Sequence, residues 1–166
     1  MHPDSIEQLQ KYKVNDDEIQ QILIAGRAGM SEKGCVELIS LARARRAVFA
    51  EGDAVAGLFG AGMMESSVRE LVRLNQLTPF AGEAAAMRLA GISDDVIVNA
   101  ARHRAKGEAV LAGARLAELR DAGFSNAQLV AALDRGMSDK QADEVITRHN
   151  YALGGHNFVR QYGRRR

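Results

Sequence analysis

The chain has no tryptophan, one cysteine, two prolines and few aromatic residues. Each shortage excludes something. The lone Cys35 rules out an internal disulfide and leaves a cytoplasmic compartment as the expectation. Pro3 and Pro79 leave the interior free of helix breakers, and Thr78-Pro79 reads as an N-cap followed by a first helical position. Without tryptophan, and with aromatics at irregular intervals, the tetratricopeptide pattern is absent. No apolar run approaches the ~18 residues of a membrane span. No stretch alternates with period two over a useful length, so no strands are expected. The start, Met1-His2-Pro3-Asp4-Ser5, lacks the basic and apolar regions of a signal peptide, and none is expected.

What is abundant is alanine, which suits closely packed helices, and glycine in one repeated setting. Glycine, a bulky apolar residue and serine occur together at Gly29-Met30-Ser31, Gly91-Ile92-Ser93, Gly123-Phe124-Ser125 and Gly136-Met137-Ser138, with Gly62-Met63-Met64 as a degenerate copy. Glycine adopts the left-handed conformation that ends a helix, and serine accepts from the free amides that open the next. The apolar residue between them can staple onto Cys35, Ile97, Leu129 or Ala142, the fourth residue of the new helix. Val14-Asn15, with Ile19 as partner, is the same device without glycine.

Capping boxes are expected at Ser5/Gln8, Asn15/Glu18, Ser125/Gln128 and Ser138/Gln141. Together these signals predict helices near 5–13, 15–28, 31–46, 52–61, 64–77, 79–90, 93–106, 108–122, 125–135 and 138–150. Their apolar faces follow the helical period, as in Cys35, Leu38, Ile39 and Ala42, or Val96, Ile97, Ala100 and Ala101. The run from Ala28 to Glu32 aligns without gaps on Ala61 to Glu65, and further corners return at similar spacing. A recurrence of two helices is the mark of a helical-hairpin solenoid or a compact bundle of hairpins. Reuse of a favourable corner accounts for it equally well. The expected fold is therefore all-α: repeated short helical hairpins over 1–150, followed by a basic aromatic tail over 151–166.

The same corner is the turn of a helix-turn-helix, best matched from Ile24 to Leu38. A helix reading DNA should offer basic or amide side chains from its first turns. Here Glu32 and Glu37 stand against Lys33, and the copy after Gly91 offers Asp94 and Asp95. Basic runs at Arg43-Ala44-Arg45-Arg46 and Arg102-His103-Arg104-Ala105-Lys106 fall in last turns, where cations complement the helix dipole.

The tail differs. From Arg148 onward there are five arginines and no acidic residue, leaving 17 basic against 21 acidic residues before it. Gly154-Gly155 sets it off from the last helix. Arg148, Tyr151, His156, Phe158, Arg160, Tyr162, Arg164, Arg165 and Arg166 form the candidate partner-binding set. Such a stretch can pair phosphates and stack bases, fold back onto the acidic body, or insert aromatics into a protein groove.

Catalysis finds little support. His2, His103, His149 and His156 have no metal-ligand spacing. Asp16-Asp17-Glu18 and Asp94-Asp95 stand at helix starts, where capping explains them. Gly57, Gly60 and Gly62 are followed by no Lys-Ser/Thr. No catalytic, cofactor-binding or metal-binding residue is assigned, and no enzyme is expected.

Leu119-Arg120-Asp121-Ala122-Gly123-Phe124-Ser125-Asn126-Ala127-Gln128-Leu129 resembles the Leu-x-x-Ala-Gly-Phe-Ser-x-x-x-Leu units of repeat regions in bacterial type IV secretion core proteins. Those repeats cycle faster than this chain, which returns to its corner only at Gly136. The likeness implies a bacterial accessory factor in secretion, conjugation or plasmid biology. The expected function is a non-enzymatic adaptor that holds a protein partner. The alternative is a nucleic-acid-binding accessory or regulatory protein using the tail and the helix-turn-helix-like corners.

Overall fold

In the computed structural model the backbone of residues 2–162 is described, with side chains through Leu153. Among these residues there are ten helices and no strands: α1 (Pro3–Lys11), α2 (Asp16–Ala28), α3 (Glu32–Ala44), α4 (Gly52–Gly60), α5 (Glu65–Arg73), α6 (Leu77–Leu89), α7 (Asp94–Ala105), α8 (Gly113–Asp121), α9 (Asn126–Asp134) and α10 (Asp139–Tyr162). The all-α class is as expected.

The corners form for the reason the sequence gives. Gly29, Gly62, Gly91, Gly123 and Gly136 all have positive φ. The following residue then donates its amide five residues back: Met30 to Ala25, Met63 to Leu58, Ile92 to Met87, Phe124 to Leu119, Met137 to Ala132. This bond closes the helix end and turns the apolar residue inward. Met30, Met63 and Ile92 are buried. Lys13, Arg46 and Asn75 take the same conformation without glycine and end α1, α3 and α5. For this reason α3 and α5 end at Ala44 and Arg73, before the expected 46 and 77.

Three expected caps are corrected. Pro3 opens α1 behind His2, so Ser5 lies inside the helix and caps nothing. Gln76 precedes α6, which places Thr78 and Pro79 in its first turn. Ser93 stands at the N-cap of α7, but its hydroxyl is buried without a hydrogen-bond partner. Asn15, Ser31, Ser125 and Ser138 do cap, the last two in reciprocal pairs with Gln128 and Gln141.

Packing follows a simple order. α1, α3, α5, α7 and α9 touch in succession, as do α2, α4, α6, α8 and α10. Tight corners join α2 to α3, α4 to α5, α6 to α7 and α8 to α9, and each of those pairs is also in contact. The core lies between the two rows and runs from Ile22 and Leu38 through Leu58, Leu71 and Phe80 to Leu119 and Leu129. Helix lengths alternate by pairs: 13 and 13 residues in α2 and α3, 9 and 9 in α4 and α5, 13 and 12 in α6 and α7, 9 and 9 in α8 and α9. One common displacement carries the bounds of α2, α4 and α5 onto those of α6, α8 and α9. Element lengths thus recur over four helices, a longer unit than the two-helix spacing of the corners.

Two donors recur across this displacement, Gly52 as Gly113 and Arg43 as Arg104, while their acceptors do not: Gln21 and Glu18 serve the first pair and Glu83 alone serves the second. The Gly52 amide, opening α4, donates to Gln21 of α2 at 2.6 Å; the Gly113 amide, opening α8, donates to Glu83 of α6. Arg43 forks onto Glu18 with two 2.7 Å bonds. Arg104 occupies the matching place, lies 4.5 Å from the centre of the Phe80 ring and bonds both Glu83 oxygens.

Candidate functional site

The row of α1, α3, α5, α7 and α9, called the outer row from here on, is clasped by its helix starts. The N-cap amide of each helix donates to the side chain of the first residue of the next helix in the row. His2 donates to Glu32 at 2.8 Å, Ser31 to Glu65 at 3.0 Å, Met64 to Asp94 at 2.9 Å and Ser93 to Asn126 at 3.2 Å. In an isolated helix a Glu or Gln three residues on would take that amide. Ser125 opens α9, the last helix of the row among the described residues, and there its own Gln128 takes the amide. Acidic residues at these helix starts therefore complement the dipole and also hold the neighbouring helix.

The mid-helix surface of the same row is laced by ion pairs. Glu37 of α3 meets Arg69 and Arg73 of α5. Glu70 of α5 meets Arg102 of α7 at 3.2 Å. Asp134 of α9 takes Asn99 at 3.1 Å and His103 at 2.9 Å, both from α7. His103 also bonds Glu108, so the ring lies between two carboxylates. Those bonds, Asp134 first and Glu108 next, raise its pKa above the ordinary 6.5.

Between α5, α7 and α9 this surface forms an open groove of about 510 Å³. Ser66, Ser67 and Glu70 come from α5, Asp95 and Arg102 from α7, and Arg73 closes one end. Val98, almost buried, and Val130 supply the apolar part. Asn99 reaches it too, its carbonyl oxygen buried without a partner. Two carboxylates and two guanidiniums balance in charge around two valines.

Four arginines of the basic runs are tied to other parts of the chain. Arg43 is held by Glu18 and by the Tyr12 carbonyl, Arg45 by Asn75 and Glu51, Arg102 by Glu70 and Arg104 by Glu83. The helix-turn-helix-like α3 is flanked by α1 and α5, and its Glu32 and Glu37 are bonded to those neighbours. Cys35 is buried, and desolvation, followed by the charges of Glu65 and Glu32, pushes its thiol to about 11, far from a reactive thiolate.

Among the described residues no three His, Cys, Asp or Glu side chains are grouped to hold a metal, and no helix is long and apolar enough to cross a membrane. Of the tail set, Arg148 and Tyr151 are exposed on α10. His156, Phe158, Arg160 and Tyr162 fall in the same helix, with side chains outside the described residues; Arg164, Arg165 and Arg166 lie outside them altogether. The helix continues through Gly154-Gly155, where the glycine pair predicted a break. Of the groove residues, Asp95 and Arg102 read in sequence only as a helix-start and a last-turn charge, and the groove itself was not expected, although Glu37, Glu70 and His103 of the ion pairs beside it stand at even spacing on α3, α5 and α7. A comparison with known protein families, curated proteins and solved structures finds no match.

Proposed function

We propose that this protein is an adaptor that holds a segment of a partner protein in the groove formed by α5, α7 and α9. The observation that carries this reading is the groove's lining: Glu70, Asp95, Arg73 and Arg102 in balance around Val98 and Val130. The scaffold suits the task because clasps at the helix starts and ion pairs across the row fix three helices beneath one surface, so little ordering is needed on binding. The likeness of Leu119–Leu129 to secretion-protein repeats favours a bacterial accessory role in secretion, conjugation or plasmid biology.

The test is affinity purification of the full chain, with and without nuclease, beside Val130→Lys. Val130 is only partly buried, and a lysine there places a charge in the groove. A partner that survives nuclease and is lost with Val130→Lys supports the reading. A partner lost to nuclease and retained by Val130→Lys supports the nucleic-acid alternative, which rests on the excess of arginine from Arg148 onward.

A further inference from the structure

The seam between α7 and α9 repeats the seam between α3 and α5 with different residues. Asn99 and Glu37 are each the sixth residue of their helices, α7 and α3. Val130 and Asp134 stand fifth and ninth in α9, as Arg69 and Arg73 stand in α5. In the earlier seam the Glu37 carboxylate meets both arginines. In the later seam a valine stands in place of the first arginine and an aspartate in place of the second.

This exchange leaves an acceptor unfilled. The Asn99 side-chain amide donates to Asp134 at 3.1 Å. An ionised carboxylate only accepts, so the nitrogen must face Asp134, and the Asn99 oxygen is the atom left over. That oxygen is buried without a partner, a state in which few polar atoms are left.

The other polar groups of the groove indicate the missing donor. Arg73 is committed to Glu37 and Glu70, and Arg102 to Glu70. Asp95 is exposed and has no ion pair or hydrogen bond among the described residues. It stands one helical turn before Asn99, on the same face of α7. Ser67 is 8% exposed, lines the groove from α5, and its hydroxyl is likewise unbonded. A carboxylate, an amide oxygen and a hydroxyl are thus free to accept, beside Val98 and Val130. Such a set fits a cation with several N–H donors on an apolar stem. Arginine has both: its planar fork reaches two acceptors at once, and its methylene chain covers apolar surface.

We infer that the groove seats an arginine side chain of the partner segment, with its guanidinium on Asp95 and the Asn99 oxygen and its stem over Val98 and Val130. This rests on the groove being a partner site and names the side chain that the site selects. The incoming arginine supplies from outside the contact that Arg69 makes with Glu37 within the chain.

Random linear peptides displayed on phage, selected on the nuclease-treated full chain, test this. Peptides that bind the wild type and not Val130→Lys occupy the groove, and they should share an arginine at one fixed position. Citrulline at that position keeps the shape and removes the charge. It should weaken binding to the wild type about tenfold, as loss of a close charge pair does. Asp95→Asn should weaken the arginine peptide to a similar degree and leave the citrulline peptide nearly unaffected. Circular dichroism verifies the fold of this exposed variant, and Asp95→Ser takes its place if helix is lost. Groove-bound peptides without a fixed arginine, a citrulline peptide that binds the wild type as tightly, or an equal citrulline loss in wild type and Asp95→Asn would overturn the arginine seat while the groove remains a partner site. A selection in which no peptide distinguishes the wild type from Val130→Lys would overturn both.

Discussion

Ser31, the N-cap of α3, and Glu65, the first residue of α5, are joined twice: amide to carboxylate at 3.0 Å and hydroxyl to carboxylate at 2.6 Å. The same hydroxyl accepts from the Gly34 amide and so caps α3 while it ties α3 to α5. One carboxylate thus serves the dipole of its own helix and the free amide of its neighbour.

If that clasp holds the row together, Glu65→Ala should destabilise the fold by about 1.5–3 kcal/mol, the range for a hydrogen bond to a charged group. Glu65→Gln keeps an acceptor and should cost less. Urea midpoints report both, and equal midpoints for wild type and Glu65→Ala would remove the clasp from the account.

Two serines that look alike in sequence should behave differently. Ser125→Ala breaks a reciprocal cap and should cost about 0.5–2 kcal/mol. The Ser93 hydroxyl makes no bond, so Ser93→Ala should cost far less and leave the midpoint nearly unchanged. A larger loss at Ser93 than at Ser125 contradicts the arrangement of these two helix starts.

Gly52 and Gly57 lie in one helix with opposite surroundings. A Cβ on Gly52 would collide with the Gln21 carbonyl, whereas nothing stands near Gly57. Gly57→Ala should stabilise by about 0.5–1 kcal/mol, the usual gain in a helix interior. Gly52→Ala should destabilise, because α2 must move from α4. Thermal melts that shift both variants in the same direction would show that the backbones do not approach as described.

His103 gives the fold a pH signature. Its pKa is raised by Asp134 and Glu108, so the contribution is complete below the unfolded value near 6.5 and is lost as pH rises through the higher folded value. Asp134 and Glu108 are held below their ordinary values, chiefly by the same ring, so their share is present above those ordinary values and disappears as pH falls through the lowered ones. Urea midpoints should therefore decline from slightly acidic toward alkaline pH, and His103→Gln should flatten that decline. An unchanged slope in His103→Gln assigns the pH dependence elsewhere.

The corners were legible because their chemistry is local: a glycine with positive φ, an apolar residue turned inward, and a serine or asparagine accepting within three residues. The starts of α3, α9 and α10 follow from that directly. Lys13 and Arg46 were hidden because nothing in a lysine or arginine announces a left-handed helix end, whereas Asn75 carried a signal that went unread, asparagine being the residue that most often replaces glycine there. The role of Glu32, Glu65, Asp94 and Asn126 was half visible. Their place at helix starts reads as dipole complement, but the amide each accepts belongs to a residue about thirty positions earlier. Arg43, Arg102 and Arg104 read as last-turn cations for the same reason, since Glu18, Glu70 and Glu83 are brought to them only by packing. The groove depends on three helices at once, and no single segment carries its signature.

The reading of this protein as a holder of protein segments is tested most directly by titrating it with nucleic acid. The full chain and a chain lacking residues 156–166 would be compared at low and high salt. That deletion removes Arg160, Arg164, Arg165 and Arg166 with Phe158 and Tyr162. The account predicts no salt-sensitive shift at micromolar concentration for either chain, because the body before Arg148 carries more acid than base and its paired arginines are committed to internal carboxylates. Counterion release would make a true electrostatic complex weaken steeply with salt. A shift in the full chain that fades with salt and disappears with the deletion would contradict the account.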